Sequence, residues 1–429
     1  MIAVANGNNI GTTPAPVGKP FSRRRCHYSY FPCLIKEMGS KMDTRRVIHS
    51  MKLGLALVFV SLVYLINSMF KQVGENAMWA IMTVVVMFEF HAGGTLGKGI
   101  NRGIGTVLGG VLGCLAAILG DEIGGIGKPV IIAFSLFLFG AAATYCRLIP
   151  RMKKRYDYGF MIFILTFSLV AVSGVRAENV LETARDRLAN IGIGFAVSVF
   201  VSLLICPFWA SNELHYSTAS KFDKLANCIQ GCLDEYLKMS SEKENEAGNG
   251  KGYVQDCKSV LNSKSSDELL ANNAKWEPWH GKFGFYYPWE QYLVVGEHLR
   301  ELAATLLSLK ACLQSPKQPP TMKRQMLKDP CESFALSIGW AMKELGESIE
   351  KMELCPSKVS LTPKLQSLKL QMNPPFSSCK MEVLETDENL AITSFNFLLL
   401  EIVEKVETIA KKVEELGEVA NFRARKIDV

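Results

Sequence analysis

Residues 103–120, GIGTVLGGVLGCLAAILG, are eighteen consecutive residues without a charged side chain. Such a run is typical of a helix that crosses a lipid bilayer, which needs about 20 apolar residues. Five similar blocks lie in the first half of the chain. The six predicted spans are residues 51–69, 77–90, 103–120, 129–145, 158–173 and 188–206. Within the third span, Gly105, Gly109 and Gly113 recur every four residues, which predicts either close helix packing or a pore-lining stripe.

Charge divides the chain into two halves. Residues 1–210 carry 21 Lys or Arg against 10 Asp or Glu, whereas residues 211–429 carry 27 against 31. Helical periodicity without convincing strand alternation continues after residue 207, interrupted by a polar linker at 240–266 and a proline-rich connector at 355–380. We therefore expect an all-α membrane protein with six transmembrane helices and a C-terminal cytoplasmic helical bundle. The expected domains are a basic cytoplasmic N-terminal segment (1–48), a six-span transmembrane domain (49–207) and a cytoplasmic helical domain (208–429).

The basic residues also predict the orientation. If the N-terminus is inside, the cytoplasmic segments carry fifteen Lys or Arg and the opposite loops carry five. Basic residues favour the cytoplasmic side, so both termini should be cytoplasmic. This topology places Lys98 and Arg102 in the loop after span two, and Arg187 at the start of span six on the opposite face.

The sequence shows no set of residues typical of an enzyme. The segment 93–99, GGTLGKG, lacks the spacing and the Ser or Thr of a phosphate loop, and the six histidines show no metal-ligand spacing. We expect neither catalysis nor a metal or other cofactor. A nucleic-acid partner is not expected either, because the net charge of +7 comes from the half that meets lipid.

Four charged residues beside the apolar blocks are candidates for function, since charge at membrane depth is costly. Arg102 and Arg187 could bind a carboxylate through the two-pronged guanidinium, or could anchor helices at lipid headgroups. Lys98 could likewise be an anchor or part of an anion site. Glu89 could pair with a neighbouring base to hold helices together, or could tune a pore.

Nine short motifs occur in order across both halves: DTRRVIH (43–49), NAMWAIMTVVV (76–86), FEF (88–90), GKGINRG (97–103), YDYG (156–159), CPFWA (206–210), WEP (276–278), HGKF (280–283) and PWEQY (288–292). With them the chain resembles the plant aluminium-activated malate transporter family. The resemblance implies a passive channel for malate and other anions, formed by a homodimer in a plasma membrane or, less favoured, a vacuolar membrane. It implies a pore lined by Arg102 and Arg187 of both subunits, and it links Trp276, Glu277 and Pro278 to activity. We further expect Lys98 to extend the positive charge on the cytoplasmic side, and Glu89 and the Trp276–Pro278 motif to gate or tune the pore.

One position departs from the family. Aluminium-activated members are expected to present carboxylates in their first and third external loops. Here the third loop offers Glu178 and Glu182, but the first-loop position is Lys71. A lysine repels a trivalent cation that prefers clustered oxygen ligands. We therefore expect a channel that aluminium does not activate.

Three other functions stay open. A proton-coupled exporter of organic or aromatic acids would use Glu89 and His91 as its relay. A membrane-anchored enzyme would need a convergent catalytic set. A receptor-like scaffold would bind partners through the cytoplasmic bundle.

Overall fold

A computed structural model describes residues 44–65, 78–173, 180–238, 250–284, 286–314, 328–354, 361–377 and 387–424. The chain divides into two compact units, Met1–Ile48 and His49–Val429, and only residues 44–48 of the first are described. The described residues form thirteen α-helices: α1 (Thr44–Leu65), α2 (Met78–Met87), α3 (Ala92–Ile123), α4 (Gly127–Leu148), α5 (Pro150–Ser173), α6 (Val180–Leu204), α7 (Ala210–Lys238), α8 (Gly250–Leu261), α9 (Lys264–Ala274), α10 (Trp289–Leu313), α11 (Lys328–Lys351), α12 (Thr362–Ser377) and α13 (Asp387–Val419).

The first six helices make this an all-α membrane protein. Five of them, α1 and α3 to α6, are long and apolar enough to cross a bilayer. The sixth, α2, has only ten residues, about 15 Å of helix against a hydrocarbon core of about 30 Å. Helices α1, α2 and α6 share a small apolar core that includes Ala56, Val84 and Val201.

Helix α3 begins earlier than the sequence indicates. The predicted loop that would carry Lys98 and Arg102 is wrong, because both lie within α3, which starts at Ala92. Glycine has a low helix propensity, so the glycine-rich run 93–103 resembles a loop. Here tertiary packing overrides that preference: added Cβ atoms on Gly97 and Gly99 would lie 2.7 Å from the Trp276 ring and 2.6 Å from Met87 Cε.

The glycine stripe of α3 is a packing surface against α5. A Cβ atom on Gly105 would lie 2.5 Å from the carbonyl oxygen of Gly159. One on Gly109 would lie 2.8 Å from the Phe163 oxygen, and one on Gly113 2.8 Å from Val170 Cβ. The helix-packing interpretation of this stripe therefore describes the structure, because only glycine lets the two backbones approach so closely.

Helices α7 to α13 share one large apolar core, which includes Phe222, Leu299, Phe334 and Val406, all without exposed surface. Two predictions for this region are wrong. Residues 250–261 are helical rather than linker, because Val260 and Cys257 are buried against the bundle. Residues 362–377 are also helical, since Pro363 lies in the first turn of α12, where a missing N–H is tolerated.

Candidate functional site

Arg102 lies within α3, one of the five helices long and apolar enough to cross a bilayer. It is the eleventh residue of the helix, about 15 Å from its start, and only 5% exposed. Its Nη1 donates a hydrogen bond to the hydroxyl of Tyr158 on α5 at 3.0 Å. Its Nε has no hydrogen-bond partner among the described residues. A buried guanidinium with an unused N–H can still bind an acceptor.

Arg187 is the second buried guanidinium, 7% exposed, on α6. Its Cζ lies 3.9 Å from the ring centroid of Trp79 on α2, which is a close cation–π contact. Arg102 is near enough to repel Arg187 electrostatically. Arg102 lies on α3 and Arg187 on α6, and the expectation that they begin on opposite faces of the membrane stays a prediction. Both are buried by protein, which argues against a role as headgroup anchors.

Lys98 and Glu89 form an ion pair at the beginning of α3. Both side chains are about one-third exposed, and Lys98 Nζ also lies 5.9 Å from the ring centroid of Tyr158. Tyr158 is therefore shared by Lys98 and Arg102. His91 pairs instead with Glu213 of α7, with Nε2 and Oε2 3.3 Å apart. The two residues of the alternative proton relay, Glu89 and His91, thus have different side-chain partners, Lys98 and Glu213.

Glu277 caps the first helix of the bundle. Its carboxylate accepts the backbone N–H groups of Ala210 at 2.6 Å and Ser211 at 3.2 Å, the first two residues of α7. A carboxylate at a helix N-terminus is favourable because it meets unpaired N–H groups and the positive end of the helix dipole. Burial raises the pKa of the Glu277 carboxyl, and the hydrogen bonds from Ser211 and Ala210 oppose that shift.

Trp276 and Pro278 complete this junction. The Trp276 ring covers Gly97 of α3, and Arg155 of α5 lies 5.0 Å from the ring centroid. The carbonyl oxygen of Pro278 is 2.8 Å from Nδ1 of His280, whose Nε2 is 2.9 Å from the Ser211 hydroxyl. Trp276 therefore contacts the N-terminal parts of α3 and α5, Glu277 contacts the start of α7, and Pro278 reaches α7 only through His280.

Three contact residues were not singled out from the sequence. Tyr158 and Trp79 lie in motifs that carry the family resemblance, but nothing in the sequence marks them as partners of the arginines. Lys52 of α1 is 3% exposed, and its Nζ donates to the carbonyl oxygens of Ser202 and Cys206, both at 3.4 Å. As a charge inside a predicted span, Lys52 could have been found by the rule that flagged Arg102.

The aluminium prediction depends on the side chains of Lys71, Glu178 and Glu182. Lys71 and Glu178 lie outside the described residues, and the side chain of Glu182 is likewise outside them. Within the described ranges, no group of three or more His, Cys, Asp or Glu side chains is arranged to hold a metal ion.

Comparisons with known proteins find the same family that the sequence motifs indicate. A family model described as "Aluminium activated malate transporter" matches residues 37–375. The chain is 39% identical to aluminum-activated malate transporter 2 of Arabidopsis thaliana over 387 residues, covering 90% of this chain and 77% of the relative. It is 43% identical to transporter 12 of that species, covering 74% and 57%, and 42% identical to transporter 13, covering 79% and 63%. The chain belongs to the aluminium-activated malate transporter family.

Proposed function

We propose that this protein is a passive channel for malate, with inorganic anions as further candidates. The family and the apolar helices α1 to α6 support transport across a membrane. Flow would follow the electrochemical gradient without nucleotide hydrolysis. The orientation has both termini in the cytoplasm, and the plasma membrane is favoured over the vacuolar membrane. The functional unit is a homodimer in which each subunit contributes the same arginines. Residues 49–207 form the channel domain and residues 208–429 the cytoplasmic domain.

The observation that carries this proposal is the pair of buried guanidinium groups. Arg102 lies on α3 and Arg187 on α6, both helices are long and apolar enough to cross a bilayer, and both side chains are covered by protein. Among the described residues, Arg102 contacts the Tyr158 hydroxyl and Arg187 contacts the Trp79 ring, and neither of these partners is a carboxylate. Such an arrangement costs free energy unless an anion visits it, and rings of arginine are typical of anion-selective paths.

Lys98 and Glu89 would tune the cytoplasmic end of this path. Lys98 adds positive charge one turn before Arg102, and Glu89 offsets that charge through their ion pair. Trp276, Glu277 and Pro278 would couple the cytoplasmic bundle to the same end of α3, because Glu277 caps α7 while Trp276 covers Gly97.

Electrophysiology with ion substitution on both sides tests the proposal. In a heterologous cell we expect malate currents whose reversal potential follows the malate gradient, whereas a coupled exporter would also follow the proton gradient. Arg187→Glu should abolish malate current at normal surface expression, because the new carboxylate would pair with Arg102 and cancel its charge. Arg185→Glu is the matched control on the exposed side of α6. Unchanged current in Arg187→Glu would remove Arg187 from the path.

The same recordings test the aluminium prediction. We expect malate currents of similar size with and without external aluminium, because Lys71 replaces an expected carboxylate. Large, reversible activation by aluminium would contradict this part of the proposal.

A further inference from the structure

Arg102 and Thr106 lie one turn apart on α3 and therefore share a helix face. Both side chains are 5% exposed. In the part of the chain that the structure describes, Arg102 Nε and Thr106 Oγ1 have no hydrogen-bond partner. Buried polar atoms are paired in the great majority of cases, so two unpaired ones on the same helix face require an explanation.

Buried hydroxyl groups on α2 and α6 do have hydrogen-bond partners. Thr83 Oγ1 donates to the Trp79 carbonyl oxygen at 2.6 Å, and Ser198 Oγ donates to that of Gly194 at 2.8 Å. Both bonds reach back four residues along the helix, the usual way for a buried helical hydroxyl to be satisfied. Thr106 does not use the corresponding Arg102 carbonyl, so its hydroxyl stays available as a donor.

We propose that the Thr106 hydroxyl and the Arg102 Nε–H together form a carboxylate-binding subsite within the anion path. This inference rests on the proposed anion channel and adds a residue that distinguishes among anions. The two donors would bind the oxygens of one carboxylate while Tyr158 holds Nη1 of the same guanidinium in place. Arg187 would add positive potential without being required for this contact.

The subsite should favour carboxylates over chloride. Carboxylate oxygens concentrate negative charge and accept short charge-assisted hydrogen bonds, so losing one donor costs them more than it costs a large monatomic anion. The loss of a hydrogen bond to a charged group corresponds to about a tenfold or greater change in binding. Part of this change in binding should appear in permeation. We therefore expect the malate-to-chloride permeability ratio to fall by roughly three- to tenfold.

The test replaces the hydroxyl with a methyl group of similar size. In the full chain, Thr106→Val should lower the malate-to-chloride permeability ratio by roughly three- to tenfold. The chloride current should be retained. Thr106→Ser, which keeps the hydroxyl, should restore the ratio. Thr83→Val is the matched control, because Thr83 is equally buried and its hydroxyl is bound to its own helix.

The outcomes separate this inference from the proposed function. A wild-type ratio in Thr106→Val, with malate current still lost in Arg187→Glu, would overturn the subsite and leave the channel standing. Absence of any anion current in the unmodified protein would overturn both. If Thr106→Val does not reach the membrane, a second measurement uses detergent-purified protein. It compares how much malate raises the thermal stability of the wild type and of Thr106→Ala. Equal protection by malate would again overturn the subsite.

Discussion

Glu277 and Gly93 are in direct contact: a Cβ atom added to Gly93 would lie 2.7 Å from the Cγ of Glu277. The same glutamate accepts the first two N–H groups of α7. One buried carboxylate thus joins the beginning of a membrane-spanning helix to the beginning of the bundle. A movement of α7 would reach α3 through this side chain at Gly93, nine residues before Arg102.

The first prediction concerns this cap. Glu277→Ala removes the acceptor and leaves two buried N–H groups unpaired, so we expect a loss of about 1–3 kcal/mol in stability. Thermal unfolding of the detergent-purified protein measures it as a lower midpoint temperature.

Two variants control for the position and for the charge. Glu277→Gln keeps one acceptor oxygen and should lie between the wild type and Glu277→Ala. Glu290→Ala removes a glutamate whose side chain is 80% exposed and should change the stability by less than about 0.5 kcal/mol. Equal midpoints for Glu277→Ala and Glu290→Ala would contradict the capping role.

The second prediction concerns the glycine stripe. Gly109→Ala should destabilise the protein by about 1–3 kcal/mol, because the new methyl group would collide with the Phe163 carbonyl and force α3 away from α5. Gly110→Ala, one residue away, meets nothing within 4 Å and should be neutral or slightly stabilising. Heat resistance of the two purified variants, measured side by side, checks the difference. Equal losses of stability in Gly109→Ala and Gly110→Ala would show that the close contact with α5 does not determine the effect at Gly109.

Structural features set by neighbouring residues can be predicted from this sequence, whereas features set by contacts between distant residues cannot. The spans follow from local hydropathy, and the stripe at Gly105, Gly109 and Gly113 follows from local spacing. The start of α3 does not, because Ala92–Gly103 is held helical by Trp276 and other residues that are distant in the sequence. Hydropathy cannot report such contacts, so the sequence pattern places Arg102 in a loop.

The candidate site shows the same limit. Two buried arginines could be flagged from the cost of charge in a membrane, but their contacts with Tyr158 and Trp79 depend on how α2, α5 and α6 pack. Thr106 carries no local signal at all. Only its missing hydrogen bond in the folded chain distinguishes it from Thr83.

The third prediction concerns a buried ion pair in the bundle. Lys221 Nζ lies 2.6 Å from both carboxylate oxygens of Asp267, and the two side chains are about 5% exposed. Arg300 also donates to Asp267 at 3.1 Å. Asp267→Ala would leave the buried Lys221 and the 12%-exposed Arg300 side chain without their carboxylate, so we expect a loss of about 3–5 kcal/mol.

The exposed pair Lys412–Glu415 provides the control. Glu415→Ala should cost less than about 1 kcal/mol, because water screens exposed pairs. Urea unfolding of the purified full-length variants, followed by tryptophan fluorescence, compares the two losses. Similar losses in Asp267→Ala and Glu415→Ala would mean that burial does not set the contribution of the pair.

The last prediction is a pH dependence that originates at His215 in α7. Burial lowers the pKa of His215 to about 4. Its Nδ1 lies 2.9 Å from the hydroxyl of Tyr292, and its Nε2 lies 3.3 Å from the carbonyl oxygen of Glu350. Burial also raises the pKa of Tyr292, so that hydroxyl keeps its proton and donates to Nδ1. The folded bundle therefore holds His215 in the neutral form.

The sign of the effect follows from proton binding in the two states. Above pH 6.5 the histidine is neutral whether the bundle is folded or unfolded, and pH has no effect through it. Between pH 6.5 and about 4 the unfolded chain binds a proton that the folded chain does not, so stability falls by up to about 1.4 kcal/mol per pH unit. Below about pH 4 both states are protonated and the loss stops, at about 3 kcal/mol in total. Hydrogen exchange of the α7 amides in the full-length protein, corrected for the intrinsic effect of pH, measures this loss. Glutamine cannot be protonated, so in His215→Gln the loss of stability between pH 6.5 and about 4 should be smaller by about 3 kcal/mol. Equal losses in the wild type and the variant would assign the pH dependence to other groups.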